Sequence, residues 1–378
     1  MSNEIPIGLA KNGRRAWALD DVAIVPNRRT RSPQDVSLEW QIDAYSFSMP
    51  VIGAPMDSVM SPATAIALGK LGGLGVLNLE GLWTRYENPE PVIEEIVALE
   101  AKEISPENTR RMQELYAEPI KPELITARLE EIREAGVVVS GSLTPQRTQE
   151  FYRTVVDAGV DMFVIRGTTV SAEHVTQQGD PLNLKEFIYE LDVPVIVGGA
   201  AGYTPALHLM RTGAAGVLVG FGGGSATTTR RALGIRVPMA TAISDIAAAR
   251  RDYLDESGGR YVHVIADGGL GSSGDIVKAL AMGADAVMLG STLARAEEAP
   301  GRGWHWGLEA VHPDFPRGHR TRVGTVAPLE EVLWGPGHHA DGTSNLMGGL
   351  RHAMAATGYV DLKSFQRVDA TVSPTTGV

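Results

Sequence analysis

The stretch VIADGGLGSSGDIVKALAMGADAVMLGS, from Val264 to Ser291, contains two short apolar runs, each of which ends in small residues. A helical pattern from Gly274 to Met282 lies between them. The order strand, glycine-rich loop, helix, strand is typical of a βαβ unit with a right-handed crossover. Glycines at the carboxyl ends of parallel strands let backbone N–H groups approach an anion closely. Because the loops after the seventh and eighth strands of a barrel are a frequent phosphate site, the stretch predicts a phosphorylated ligand.

Six further runs of this kind extend the pattern outward to a total of eight. Most of the runs are continuously apolar, as expected for strands that are buried on both faces, and helical patterns separate them. This alternation predicts an α/β fold, a (β/α)8 or TIM barrel, as one domain over residues 1–378. A doubly wound sheet is the alternative, although it usually has fewer strands. The predicted strands are Pro50–Pro55, Leu74–Asn78, Val137–Gly141, Asp161–Gly167, Val193–Gly199, Gly216–Gly222, His263–Gly269 and Ala286–Ser291.

Two segments interrupt the repeat. Residues 86–134 are rich in glutamate and predict helices on the flank of the barrel, in a segment too short for a domain of usual size. Residues 297–378 begin with an irregular segment rich in glycine, proline and histidine. We predict a lid there, with a surface excursion or an oligomer arm as the alternative. A helical stretch from Asn345 to Thr357 then closes the barrel.

The composition excludes several classes of function. With 45 acidic and 34 basic residues, the net charge of −11 argues against nucleic-acid binding and against attraction to anionic membranes. No apolar run reaches the roughly 18 residues of a membrane span, and no signal-peptide pattern is visible, so we expect a cytoplasmic location. The chain has no cysteine, which excludes a disulfide framework, a thiolate metal site and a cysteine nucleophile.

The loop GFGGGSATTTRR, from Gly220 to Arg231, is the most unusual of the loops. We interpret it as a phosphate cradle in which backbone donors and the Ser225 hydroxyl bind the anion; a flexible rim loop is the alternative. The carbonyls of Gly222, Gly224 and Thr227 are candidates to hold a monovalent cation such as K+. Asp267, where the seventh predicted strand ends, suits the two hydroxyls of a ribose better than the role of a base, unless it only caps the loop.

Seven segments together resemble the IMP dehydrogenase / GMP reductase family over nearly the whole chain. They are LDDVAIVPNR from Leu19, APMDSV from Ala54, LGGLGVLN from Leu71, GFGGGSATTTR from Gly220, VPMATAI from Val237, ADGGLGSSGDIVKALAMGADAVMLGS from Ala266 and EEAPG from Glu297. The chain is most similar to the shorter bacterial IMP dehydrogenase-related proteins. The regulatory pair of CBS domains is absent, and Tyr86–Glu134 lies where that pair would be inserted.

The resemblance implies a site for a purine nucleoside 5′-monophosphate. Its phosphate would be held by Ser225, Gly268, Gly269, Gly290 and Ser291, its ribose by Asp267, and its base would lie near Met56. The resemblance also implies NAD or NADP as cofactor, on the side of Arg166 and Gly167, and a homo-tetramer or octamer. The implied reactions are IMP to XMP with NAD, or GMP to IMP with NADPH.

Three departures from the family pattern keep a second hypothesis open. Thr227 stands at the position of the catalytic cysteine, and a hydroxyl needs a strong activating base where a thiol does not. Arg166 stands where the dehydrogenases have an Asp-Ser pair. The arginine base of the family's flap is not recognisable between Trp304 and Gly324, although Arg317 and Arg320 lie there. The alternative to an oxidoreductase is therefore a catalytically silent barrel that acts as a nucleotide sensor or a regulatory subunit.

Overall fold

Eight parallel strands close into a barrel in the computed structural model, which describes residues 4–102, 104–177, 181–221 and 223–373. The strands follow one another around the barrel in chain order, and the last pairs with the first. The predicted (β/α)8 barrel is therefore confirmed. The strands are β1 (Val51–Gly53), β2 (Leu74–Asn78), β3 (Ser140–Leu143), β4 (Met162–Arg166), β5 (Val195–Ala200), β6 (Gly216–Val219), β7 (His263–Asp267) and β8 (Ala286–Leu289).

The position of β3 corrects the sequence prediction. We expected a strand over Val137–Gly141, but Val137 and Val138 are only half-buried and precede the barrel. The strand instead carries two buried serines, Ser140 and Ser142. The Ser140 hydroxyl donates a hydrogen bond to the Met162 carbonyl (2.9 Å), so its burial leaves no donor unsatisfied. A pattern that counts apolar residues ends this strand too early.

Helices cover the barrel and fill the connections between its strands. They are α1 (Pro62–Lys70), α2 (Glu90–Ala98), α3 (Pro106–Leu115), α4 (Pro122–Glu134), α5 (Pro145–Asp157), α6 (Leu184–Glu190), α7 (Tyr203–Arg211), α8 (Thr229–Leu233), α9 (Met239–Glu256), α10 (Ser273–Ala281), α11 (Leu329–Trp334), α12 (Leu346–Thr357) and α13 (Leu362–Phe365). Short antiparallel pairs lie outside the barrel: Glu4–Gly8 with Lys11–Arg14, Val22–Val25 with Asp369–Val372, Trp40–Ile42 with Tyr45–Phe47, and Trp304–His305 with Thr321–Arg322. No helix in the described ranges is both long and apolar enough to cross a membrane.

Residues 86–134 form the three helices α2, α3 and α4, as predicted, between β2 and β3. A distant arginine holds the end of α2. The buried Arg320 guanidinium donates hydrogen bonds to the carbonyls of Ile96, Val97, Leu99 and Glu100, at 2.6–3.0 Å. It also lies 3.8 Å above the centre of the Trp304 ring. Since the last carbonyls of a helix lack the usual partner within it, Arg320 caps α2 and ties the flanking segment to the rim of the barrel.

The segment that begins at Glu297 is more regular than its sequence indicates. It contains the short strands Trp304–His305 and Thr321–Arg322 and the helix α11. The predicted helix from Asn345 to Thr357 is present as α12, and the Asn345 side chain caps it by accepting a hydrogen bond from the Gly348 N–H (3.1 Å). This segment passes over the carboxyl-terminal rim of the barrel and contributes side chains to the site described next.

Candidate active site

One cavity at the carboxyl-terminal rim gathers residues from the ends of β1, β4, β6, β7 and β8. We call it the rim cavity. Among the residues singled out from the sequence, its walls contain Met56, Arg166, Gly167, Gly224, Thr227, Asp267, Gly268, Gly269, Gly290 and Ser291. The carboxyl ends of parallel barrel strands share one rim, which is why residues far apart in the chain meet here.

The turn after β7 presents bare backbone to this cavity. Gly268 and Gly269 have φ angles of 109° and 73°, in the left-handed region that strains any residue with a β-carbon. Opposite this turn, Gly290 lies against Met56 and His305, and a β-carbon at Gly290 would stand 3.4 Å from the Met56 sulfur. Glycine at these positions therefore keeps the cavity open to a ligand at backbone distance.

Arg166 and Asp267 form an ion pair within the cavity wall. Arg166 Nε donates to Asp267 Oδ2 at 3.1 Å, and the two side chains are 24% and 12% exposed. Burial acts to lower the pKa of Arg166, but the charges of Asp267 and Glu309 outweigh it and raise that pKa. Asp267 Oδ1 has no hydrogen-bond partner in the described part of the chain. The pair thus fixes the Asp267 carboxylate and leaves one oxygen free for a ligand hydroxyl.

A second cavity, the side cavity, opens beside the first and has a volume of about 860 Å³, within the usual range of small-molecule sites. Both cavities share Arg166, Gly167, Thr168 and Glu309. Arg85, Arg147 and Arg317 also line the side cavity, so arginines outnumber the glutamates of its walls. Arg317 is positioned by Thr168, whose hydroxyl lies 2.9 Å from its guanidinium. The side cavity is therefore weakly cationic and shares a wall with the rim cavity.

His305 is a member of the site that the sequence reasoning missed. It is 2% exposed, its Nδ1 lies 3.1 Å from the Ser58 hydroxyl, and its ring lines the rim cavity. Burial, together with the charge of Arg166, lowers the pKa of His305 to about 4. A neutral imidazole next to Gly290 can hydrogen-bond a ligand without adding charge. The only local signal is its place between Trp304 and Trp306, shortly after the EEAPG segment.

A pH titration of stability tests the protonation state of His305. Because the pKa falls from 6.5 when unfolded to about 4 when folded, we expect its burial to destabilise the fold progressively as pH drops from 6.5 to 4. We expect His305→Gln to remove this loss, which amounts to about 3 kcal/mol at the acidic end. Denaturant unfolding of both proteins at several pH values measures the difference. If the free energies of unfolding of the two proteins depend on pH in the same way, His305 has the same pKa in the folded and the unfolded protein.

A buried network behind the cavity positions Met56 and the His305 loop. Asp57 accepts hydrogen bonds from the Tyr116 hydroxyl (2.6 Å) and the Leu82 N–H (3.1 Å), and Trp306 Nε1 donates to the Tyr116 hydroxyl at 2.8 Å. Burial raises the pKa of Asp57 to about 6, against the effect of those hydrogen bonds. The contribution of Asp57 to the free energy of unfolding therefore becomes more favourable to the folded state as the pH falls from about 6 to 3.8. This effect is opposite in sign to that of His305. Since Asp57 is the same in wild type and His305→Gln, its effect cancels in their comparison.

Comparison with known proteins identifies the family. Residues 16–307 match the IMP dehydrogenase / GMP reductase domain. The chain is 54% identical over 372 residues to an uncharacterized oxidoreductase of Mycolicibacterium smegmatis, a match that covers 97% of this chain and 99% of that protein. It is 30% identical over 295 residues to inosine-5′-monophosphate dehydrogenase of Cryptosporidium parvum, covering 77% and 71% of the two chains. The chain belongs to the IMP dehydrogenase / GMP reductase family.

A solved structure agrees with this assignment. The crystal structure of an IMP dehydrogenase/GMP reductase-like protein from Corynebacterium glutamicum matches this fold with a TM-score of 0.93 at 50% identity, over 98% of both chains. The resemblance that we drew from seven sequence segments is thus confirmed at the level of the family and of the barrel.

Thr227, which the sequence resemblance implied stands at the position of the family's cysteine, uses its hydroxyl within the protein. Its Oγ1 lies 2.8 Å from the Thr229 hydroxyl, accepts a hydrogen bond from the Thr229 N–H (3.2 Å) and lies 3.3 Å from the Arg317 carbonyl. None of these partners is a general base. The hydroxyl therefore joins the loop after β6 to the segment around Arg317, and nothing in the described structure activates it for attack.

One predicted member of the phosphate site lies outside the rim cavity. Ser225 does not line the rim cavity; it lines a small third cavity that has Ser291 in common with the rim cavity. The Gly224 carbonyl accepts a hydrogen bond from the Thr227 N–H at 3.4 Å. Gly222 lies outside the described residues. The assignment of a monovalent cation to this loop stays a prediction.

Neither arginine of the predicted flap region is positioned as a free base. Arg320 donates hydrogen bonds to the four carbonyls at the end of α2. Arg317 contacts Thr168, which lines both the rim cavity and the side cavity. Arg166 takes a place that the sequence alone did not indicate, as the ionic partner of Asp267.

Proposed function

We propose that this chain is a purine-nucleotide oxidoreductase that binds a purine nucleoside 5′-monophosphate in the rim cavity. One observation carries the proposal: the bare Gly268-Gly269 turn, the free oxygen of Asp267 and the Gly290-Ser291 end of β8 line the same cavity. Backbone N–H groups suit a phosphate, a fixed carboxylate suits a ribose diol, and an apolar thioether suits a purine face. Met56 and the neutral His305 stand on the wall that would face the base.

The side cavity supports a nicotinamide dinucleotide as the second ligand. Arg85, Arg147 and Arg317 would bind its diphosphate, and Arg166 and Gly167 form the shared wall at which the two ligands would meet. NAD or NADP would supply the hydride acceptor or donor. The proposed conversions are IMP to XMP with NAD, or GMP to IMP with NADPH, in a cytoplasmic homo-tetramer or octamer. K+ at the carbonyls of the loop after β6 is part of the same proposal.

The hydrogen bonds of Thr227 favour a second candidate function. The chain has no cysteine, and the hydroxyl that replaces the thiol is held by Thr229 and Arg317. A barrel with these features binds the nucleotide without forming a covalent adduct. Its role would then be that of a sensor, or of a regulatory subunit in purine metabolism.

Titration calorimetry distinguishes these functions. The purified protein is titrated with IMP, GMP and XMP, each alone and then with saturating NAD(H) or NADP(H). We expect 1:1 binding per chain of at least one nucleotide, tightened by one dinucleotide, and absorbance at the nicotinamide band then reports turnover. Nucleotide binding without any dinucleotide effect favours the silent barrel. The absence of binding by all three nucleotides contradicts both functions.

A further inference from the structure

Arg295 lines the third cavity, which shares Ser291 with the rim cavity, and its side chain has no hydrogen-bonding partner in the described ranges. It ends a 3-10 turn, Leu293–Arg295, that follows β8. Its Nε is completely buried and makes no hydrogen bond, and the rest of its guanidinium also has no hydrogen-bond partner among the described residues. A buried Nε–H without an acceptor is costly, and Arg295 is only partly buried, so the rest of its guanidinium stays accessible to an acceptor from outside the protein.

The third cavity, of about 220 Å³, lies against this side chain. Its walls are Ser225, Gly271, Ser291, Thr292, Arg295 and Val323. The hydroxyls of Ser225 and Ser291 have no hydrogen-bond partner in the part of the chain that the structure describes, whereas Thr292 donates its proton to the Leu270 carbonyl (2.5 Å). The cavity wall thus offers one guanidinium and two free hydroxyls, and these wall residues include no carboxylate.

The carboxylate of Asp341 does not neutralise Arg295 by contact. Hydrogen bonds from the Thr343 hydroxyl and N–H, at 2.6 and 3.1 Å, lower the pKa of Asp341, and the charge of Arg295 adds to this effect. Asp341 is therefore occupied by Thr343 and makes no hydrogen bond with the guanidinium. The backbone of Arg295 is fixed, because its carbonyl accepts a hydrogen bond from the Val326 N–H (2.8 Å). The side chain is anchored at its base and unpaired at its tip.

We propose that Arg295 binds the phosphate of the nucleotide and determines the preference for a phosphorylated ligand. The inference rests on the proposed function, which places the nucleotide in the rim cavity. Ser291 lines both the rim cavity and the third cavity, and Ser225 lines the third cavity. A phosphate seated at Gly268, Gly269 and Ser291 presents its outer oxygens to Arg295 and Ser225. A guanidinium matches the geometry of phosphate oxygens and brings positive charge to the third cavity.

The test compares Arg295→Met with Arg322→Met, whose exposed side chain lies on the strand that leads into Val323. Calorimetry measures the affinities for IMP and for inosine, and phosphorus NMR titration measures the affinity for inorganic phosphate. We expect Arg295→Met to weaken IMP and inorganic phosphate about 10- to 100-fold and to leave inosine unchanged. We expect Arg322→Met to change each affinity less than about twofold. Arg295→Lys, which keeps the charge but lacks Nε, should bind IMP with intermediate affinity, and thermal unfolding checks that each variant is folded.

The outcomes separate this inference from the proposed function. If Arg295→Met loses the binding of inorganic phosphate and Arg322→Met keeps it, the result supports the anion site, even if no purine nucleotide binds. Equal affinities of wild type and Arg295→Met for IMP overturn the role of Arg295 and leave the nucleotide site intact. Equal weakening of IMP and inosine also overturns it, because the side chain would then act on the shape of the cavity. A wild-type protein that binds none of IMP, GMP and XMP, and no inorganic phosphate, overturns both proposals.

Discussion

Asp267→Ala is expected to weaken IMP binding by about 10- to 100-fold, and the binding of 2′-deoxy-IMP by less. The structure leaves Asp267 Oδ1 free while Arg166 holds Oδ2, so a ribose can place its hydroxyls on a carboxylate that is already fixed. Hydrogen bonds to a charged group contribute about 1.5–3 kcal/mol, which sets the size of the expected loss. Calorimetry with both ligands on wild type and variant measures it, and thermal unfolding checks that each variant is folded.

Arg166→Met provides the matched control for this prediction, because it removes the other half of the same ion pair and leaves the carboxylate in place. We expect this variant to keep the preference for IMP over 2′-deoxy-IMP, with a smaller loss of affinity from the freed rotation of Asp267. Equal losses for the two ligands in Asp267→Ala would remove the ribose role and leave Asp267 as the counter-ion of Arg166.

Arg320→Met is expected to lower the free energy of unfolding by about 3–5 kcal/mol, roughly 1 kcal/mol for each lost hydrogen bond to the end of α2. The guanidinium serves four carbonyls at this point, and its removal leaves the end of the helix uncapped next to Trp304. Denaturant unfolding measures the loss. Because the flanking segment is attached here, we also expect faster limited proteolysis within residues 86–134.

Arg302→Met tests the same helix from its solvent side. Arg302 pairs with Glu90 and Glu94 of α2 at 3.2–3.3 Å, but its side chain is 49% exposed. An exposed pair of this kind contributes under about 1 kcal/mol, so this variant should unfold almost like wild type. If the two variants lose similar stability, the carbonyl cap at Arg320 does not hold the segment, and ordinary surface charge accounts for both results.

The sequence predicted residues that act through backbone shape and through their place at strand ends. Gly268, Gly269 and Gly290 could be found because glycine directly after an apolar run indicates a strand end at which the backbone itself meets a ligand. Asp267 followed from its place at the end of a strand, and Met56 from the family resemblance. His305, Arg295 and Arg320 were not assigned a role, because a single histidine or arginine in an irregular segment has no pattern that reports its surroundings.

What the sequence determined by itself is the barrel, its family and the rim at which glycine turns and Asp267 converge. These depend on local apolar runs and on the rule that parallel strands end at one rim. The tertiary structure alone decided the partners of the charged groups: Arg166 with Asp267 across 101 positions, and Arg320 with Ile96 across 224. It also decided that His305 lines the rim cavity, that Arg295 lines the third cavity, and that the Thr227 hydroxyl contacts Thr229 and the Arg317 carbonyl. Such pairings depend on burial and distance in three dimensions, and residues so far apart in the chain carry no local trace of either.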